Sequence, residues 1–135
     1  MTLKSFFLCW LAALPIFFAI DMLWLVVLAR DFYQQVLGHL LGPVNWPAAL
    51  TFYAMFIAGI VLFAVRPARQ SGSVKAALIW GGAYGFFTYA TYDLTNLATL
   101  DRWPVAVVVP DILWGIVLSG SVAALTYLAT RRWSD

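Results

Sequence analysis

Long apolar runs separated by short polar connections make up almost the whole chain. Four apolar stretches, at about 5–29, 47–65, 76–100 and 104–130, have the length of roughly 20 residues that a helix needs to cross the hydrocarbon core of a membrane. The connections between them are too short to form a soluble domain. The pattern therefore predicts an all-α fold, an integral membrane four-helix bundle that forms a single transmembrane domain over residues 1–135.

The first connection is longer than the others and has a helical pattern of its own. Between Asp31 and Asn45 apolar residues recur every three or four positions, and Gln34, Gln35 and His39 lie on the opposite side. This pattern predicts a short interfacial helix in the first outer loop. His39 is the only histidine. The sequence therefore favours neither a metal centre built from several histidines nor a Ser-His-Asp catalytic triad.

Composition and charge agree with a membrane location. The chain is 64% hydrophobic and 10% charged, far from the usual composition of a soluble domain. Its net charge of +2 gives no argument for a nucleic acid partner, because six of the eight basic residues cluster in three places and the other two, Arg30 and Arg102, each lie beside an aspartate. The three places are the amino end, the second connection and the carboxyl end, and the six residues are Lys4, Arg66, Arg69, Lys75, Arg131 and Arg132. The positive-inside rule therefore predicts a multi-pass protein with both termini in the cytoplasm and the lipid bilayer as its surroundings.

Two halves of the chain share a faint repeat. Asp21 precedes the pair Arg30 and Asp31 by nine residues, and Asp93 precedes the pair Asp101 and Arg102 by eight. A Trp-Pro dipeptide follows each charged pair and opens the next apolar stretch. We therefore expect two tandem helical hairpins, related by an axis along the membrane normal.

Three acidic residues lie inside the predicted spans. Counted at 1.5 Å per residue, Asp21, Asp93 and Asp111 each lie about 12 to 13 Å in from the outer boundary, on three different helices. A charge near the bilayer centre costs about 3 kcal/mol, so these carboxyl groups should face inward and towards one another. Tyr89 and Asn96 share the face of Asp93, while Trp24 and Trp114 follow Asp21 and Asp111 by three residues.

No lysine, arginine or histidine lies inside a predicted span, so the positive charge for these acids must come from elsewhere. A proton, a metal ion or a small cationic ligand would supply it. If a metal is bound, Asp21, Asp93 and Asp111 offer oxygen ligands suited to a hard cation. The alternative is a hydrogen-bonded core of protonated acids that fixes the helix register. No cofactor is required by the sequence, and the candidate ligand-binding residues are Asp21, Trp24, Tyr89, Asp93, Asn96, Asp111 and Trp114.

Three motifs resemble a known family. They are Asp21-x-x-Trp24-Leu25, the stretch from Tyr92 to Thr99 with sequence YDLTNLAT, and Asp111-x-x-Trp114-Gly115. Together they resemble a family of small bacterial inner-membrane proteins known as domain of unknown function 2177, over nearly the whole chain. The resemblance implies a four-helix protein of the bacterial cytoplasmic (inner) membrane and implies no activity.

The sequence thus predicts a small polytopic protein with a carboxylate site near the midplane that binds a proton, cation or cationic ligand, as a transporter does. A membrane-embedded enzyme of lipid metabolism and a structural or assembly subunit are the alternatives, so catalysis stays open. Small residues line faces of the third and fourth spans, at Gly81 and Gly85 and at Gly115, Ser119 and Gly120. Such faces allow close approach of a second helix, and we expect a homodimer.

Overall fold

A computed structural model describes residues 1–135 and contains five helices and no strands. The helices are α1 (Leu3–Leu28), α2 (Arg30–Leu37), α3 (Trp46–Ser71), α4 (Val74–Thr99) and α5 (Val105–Thr130). By length and composition, α1, α3 and α5 are apolar enough to cross a membrane. Helix α4 is equally long, at 26 residues, but it carries a lysine, an aspartate, an asparagine and several hydroxyl side chains. The structure therefore supports an all-helical membrane protein with three apolar spans, one fewer than the sequence predicts.

Helix α3 is longer than predicted. The sequence predicts a span of about 47–65, whereas the helix continues to Ser71. Residues Val61–Val65 form π-helical turns just before the proline, so its missing amide hydrogen falls where the bonding pattern changes. Only Gly72 and Ser73 then separate α3 from α4. Gly72 adopts φ 64°, a left-handed conformation that glycine tolerates without strain.

The two termini and the α3–α4 turn meet at one end of the bundle, which we call the terminal end. Arg69 donates hydrogen bonds to the carbonyl oxygens of Thr130 and Trp133 and, at 2.9 Å, to Oδ1 of Asp135. This hydrogen bond with Arg69 is the main reason that the pKa of Asp135 lies below its ordinary value. The backbone nitrogen of Met1 lies 3.8 Å from the same carboxylate. Arg69 therefore joins the second connection to the carboxyl end of the chain.

The apolar core fills the half of the bundle next to the terminal end. Its fully buried side chains include Cys9, Phe17, Ile60 and Leu118. Along α3, the first buried residue is Phe56, while most of the turns from Trp46 to Met55 are exposed. The outer half of α3 thus packs loosely, and a space remains between the helices towards the opposite end of the bundle, which we call the loop end.

The closest helix pair is α4 with α5. A Cβ atom on Gly81 would lie 2.7 Å from the carbonyl oxygen of Ser119, and one on Gly85 would overlap the carbonyl of Gly115. The small-residue faces of these helices therefore pack against each other within one chain. This packing removes the reason for expecting a homodimer through those faces.

Helix α2 packs across the loop end. Its residues Phe32, Tyr33 and Val36 contact the buried cluster of Trp103, Val107 and Val108 at the start of α5. The predicted interfacial helix between Asp31 and Asn45 thus exists but ends at Leu37. Contact with α5 holds α2 beside the bundle, so its side chains can reach into the space below.

Candidate functional site

A cavity of about 550 Å³ occupies the space between the helices. Asp21 from α1 and Asp111 from α5 both line it, and no lysine, arginine or histidine does. The predicted convergence of these two acids is therefore observed in the structure. Most of the remaining wall is aromatic: Phe17, Tyr33, Phe52, Tyr53, Phe56, Tyr89, Tyr92 and Trp114.

A directed chain of hydrogen bonds leads to Asp111. Trp24 donates its indole N–H to the hydroxyl oxygen of Tyr33 at 3.1 Å, and Tyr33 donates its own hydrogen to Oδ1 of Asp111 at 2.7 Å. An indole nitrogen can only donate, so the direction of the whole chain is fixed. Burial is the main cause that raises the pKa of Tyr33 above its ordinary value, and the charge of Asp111 adds to it. Tyr33 therefore keeps its hydrogen and acts as a donor to the carboxylate.

Asp21, the second acid of the cavity, also accepts a hydrogen bond, here from a tryptophan. Trp114 donates its indole N–H to Oδ1 of Asp21 at 3.4 Å, across from α5 to α1. The rings of Trp24 and Trp114 stack with centroids 4.6 Å apart and an angle of 9° between their planes. Trp114 thus contacts the acid on the other helix directly, Trp24 reaches Asp111 through Tyr33, and the stacked rings join α1 to α5 beside both acids.

The backbone of α1 changes just beyond Asp21. Residues Leu23–Leu28 form π-helical turns, and the amide of Ala29 bonds to the carbonyl of Trp24 at 2.8 Å. Such wide turns are rare in helices and are often found at functional sites. They alter the angular spacing of the side chains after Asp21. Trp24 lies in these turns, where it contacts both Trp114 and Tyr33.

Asp93 lies behind the wall of the cavity. Helices α4 and α5 pack Gly85 against Gly115, and the ring of Tyr89 covers Gly115 one turn further towards the loop end. The next turn of each helix brings the carboxyl group of Asp93 beside that of Asp111. Asp93 is 0% exposed, and neither of its oxygens makes a hydrogen bond of normal geometry. The third acid therefore lies next to Asp111 but does not line the cavity.

The remaining predicted site residues differ in position. Tyr89 lines the cavity. Asn96 is half-buried and does not line it, so the structure does not bring this amide to the site. No three side chains among histidine, cysteine, aspartate and glutamate form a group that could hold a metal ion. Asp21, Asp93 and Asp111 therefore do not form one ligand group in the structure, because Asp93 is enclosed between α4 and α5.

Sequence reasoning missed Tyr33 as a site residue. Its place in the apolar pattern of α2 predicts simple packing, and its partner Asp111 is 78 residues away in the chain. The only feature of the sequence that indicated a role for Tyr33 was its hydroxyl group on the otherwise apolar face of α2. By contrast, the hydroxyl groups of the threonines at 91, 95 and 99 donate to carbonyls one turn earlier on the same helix, a structural role.

The fold and the cavity define an all-helical membrane protein with an acidic, aromatic-lined cavity between its helices. The chain belongs to the family described as "predicted membrane protein", domain of unknown function 2177, whose profile matches residues 6–128. This match confirms the resemblance seen in the three sequence motifs. No curated protein and no solved structure matches the chain.

Proposed function

We propose that the protein binds a small organic cation in its cavity, as a transporter or carrier of such molecules. The observation that supports this is the pairing of Asp21 and Asp111 in one cavity that has no basic side chain. Two carboxylates in a poor dielectric need a compensating positive charge, and the ligand is its natural source.

The aromatic wall favours an organic cation over a metal ion. A cation over an aromatic ring gains about 2 kcal/mol or more when water is excluded, and eight aromatic residues line this cavity. A volume of about 550 Å³ lies within the usual range for sites that hold small organic molecules. A bare metal ion would leave most of that volume unfilled.

The position of the cavity suggests how such a ligand enters. Leu25, Phe52 and Tyr92 line the cavity and are also exposed on the outer surface of the bundle. In a bilayer that surface faces lipid. A cation with apolar groups, already dissolved in the membrane, could therefore reach the acids from the side without crossing the loop end.

The proposal includes four membrane crossings, with both termini in the cytoplasm of a bacterium. Helix α4 starts two residues after α3 at the terminal end and leads to the start of α5 at the loop end. Its 26 residues span about 39 Å, enough to cross. Because α3 and α5 both run from the loop end to the terminal end, α4 must cross back between them. The basic residues at the terminal end support a cytoplasmic location for that end.

The experiment uses tetraphenylphosphonium as the probe cation and purified protein in detergent. We expect it to bind and to quench tryptophan fluorescence, since Trp114 lines the cavity. Asp21→Asn and Asp111→Asn should each weaken binding by about tenfold or more, equivalent to about 1.4 kcal/mol. Asp101→Asn, in the connection beyond α4, is the matched control and should bind as the native protein does.

Neutral triphenylphosphine oxide is the control ligand, because it has similar aromatic groups without the charge. The proposal is supported if the native protein binds the cation more tightly than the neutral compound and if Asp21→Asn and Asp111→Asn both lose this preference. Equal binding of the two compounds, or no binding of the cation, would overturn it.

A membrane-embedded enzyme of lipid metabolism is the second candidate function. The sideways opening of the cavity favours it, because a lipid could enter by the same route. The lipid profile of a deletion strain separates the two functions: a changed lipid class indicates an enzyme, and altered tolerance to organic cations with unchanged lipids indicates transport. A homodimer and a structural role in a larger assembly remain predictions from the sequence.

A further inference from the structure

Asp93 is the one carboxyl group of the bundle that is completely enclosed without a hydrogen-bonding partner. Its side chain is 0% exposed, and both of its oxygens lack a partner of normal geometry. An ionised carboxylate in that position would lose its hydration and gain nothing in return, a cost that proteins avoid by keeping the group neutral. A protonated carboxyl group, by contrast, needs only one acceptor for its hydrogen.

Asp111 is the acceptor within reach. The packing of Gly85 on Gly115 sets the register of α4 and α5, and the carboxyl group of Asp93, two turns beyond Gly85, lies beside that of Asp111, one turn beyond Gly115. The other titratable side chains near Asp93 are Tyr33 from α2 and Tyr92 on its own helix. No basic side chain faces Asp93, so the chain offers no positive charge to balance an ionised carboxylate there. Asp93 can become neutral only by binding a hydrogen ion.

We propose that Asp93 is a positioning residue, a neutral acid that donates its hydrogen to Asp111 from behind and holds the Asp111 carboxylate towards the cavity. Tyr33 already donates to Oδ1 of Asp111 from the loop end. With Asp93 as a second donor, two sides of this carboxylate are satisfied by the protein, and its remaining side is open to a ligand. Asp93 itself does not touch the ligand.

This role differs from that of Asp21 and Asp111 in what a substitution does. Asparagine at position 93 keeps a donor, because its amide N–H can replace the carboxyl O–H. Leucine has a similar size and no donor. If Asp93 were a charged ligand group, both substitutions would abolish the negative charge and would weaken cation binding equally.

The first test needs no ligand. The infrared spectrum of the native protein at neutral pH should contain the carbonyl stretching band of a protonated carboxylic acid, and Asp93→Asn should lose that band. A spectrum in which Asp93→Asn removes no such band overturns the proposal, whatever the protein binds.

The second test rests on the proposed function and uses tetraphenylphosphonium. Asp93→Asn should bind it within about threefold of the native protein, whereas Asp93→Leu should bind about tenfold or more weakly. Equal weakening in both variants contradicts the proposal. If Asp93→Leu does not fold, the near-native binding of Asp93→Asn, against the loss in Asp111→Asn, decides the question. If the native protein fails to bind the cation, the proposed function fails and the infrared band alone decides the state of Asp93.

Discussion

The hydroxyl group of Tyr33 links the aromatic and acidic parts of the site, since it accepts from Trp24 and donates to Asp111. Tyr33→Phe removes both hydrogen bonds without changing the ring. We expect the free energy of unfolding to fall by about 1.5–3 kcal/mol, the usual contribution of a hydrogen bond to a charged group. Chemical unfolding in detergent, followed by tryptophan fluorescence, measures this change.

Tyr92→Phe is the matched control for Tyr33→Phe. Tyr92 also lines the cavity, but its exposed ring makes an edge contact with Trp103 and takes no part in the hydrogen-bond chain. The free energy of unfolding of Tyr92→Phe should stay within about 0.5 kcal/mol of that of the native protein. A similar loss in the two variants would mean that the Tyr33 hydroxyl does not support Asp111.

At this residue scale, the sequence predicts that the three acids face the inside of the bundle, as observed, but it does not predict what surrounds each of them. Asp21 and Asp111 were found because a charge in an apolar span is costly and must face inward. Asp93 follows the same rule, yet it lies behind the wall and not in the cavity. The depth of a residue follows from counting, whereas its direction depends on the rotation of the helix, which the close packing of α4 on α5 decides.

Helices α4 and α5 approach closely enough at Gly85 that no side chain fits there. Gly85→Ala places a Cβ atom on the carbonyl of Gly115 and should push the two helices apart. We expect it to lower the free energy of unfolding by about 1–3 kcal/mol, as overpacking does. It should also weaken cation binding, since Asp93 lies two turns beyond Gly85 and Asp111 one turn beyond Gly115 along the same contact.

Gly82→Ala provides the control on the same helix. Its Cβ atom would meet the nearest neighbour, a methyl group of Ile116, at an ordinary 3.5 Å. Alanine favours a helix over glycine by about 1 kcal/mol, so this variant should be as stable as the native protein or more so. If Gly85→Ala behaves in the same way, the packing that sets the register of Asp93 is not as described.

At the scale of the elements, apolar length placed the long helices within a few residues of their true bounds at most ends. The error at the end of α3 has a local cause, because the π-helical turns before Pro67 let the helix continue where proline normally ends one. The small-residue faces were recognised correctly as contact surfaces. The structure pairs these faces with each other within one chain, which the sequence does not predict because it does not say which small-residue face meets which.

For the whole molecule, the contact of Arg69 with the carboxyl end and the course of α4 make the number of membrane crossings testable. Cys9 is the only cysteine and is buried, so single cysteines introduced elsewhere can be labelled on a low background. The four sites are Ser71→Cys and Ser134→Cys at the terminal end, and Asn45→Cys and Asp101→Cys at the loop end. A membrane-impermeant maleimide is then added to intact bacterial spheroplasts.

With four crossings and a cytoplasmic terminal end, the reagent should label Asn45→Cys and Asp101→Cys from outside, and should label the other two only after lysis. If α4 does not cross, Asp101→Cys would be protected together with Ser71→Cys, and Ser134→Cys would react from outside. That result would contradict the hydrogen bonds that join Arg69 to Thr130, Trp133 and Asp135, because those groups would lie on opposite sides of the membrane. Lysed spheroplasts, in which all four exposed sites should react, control for differences in reactivity.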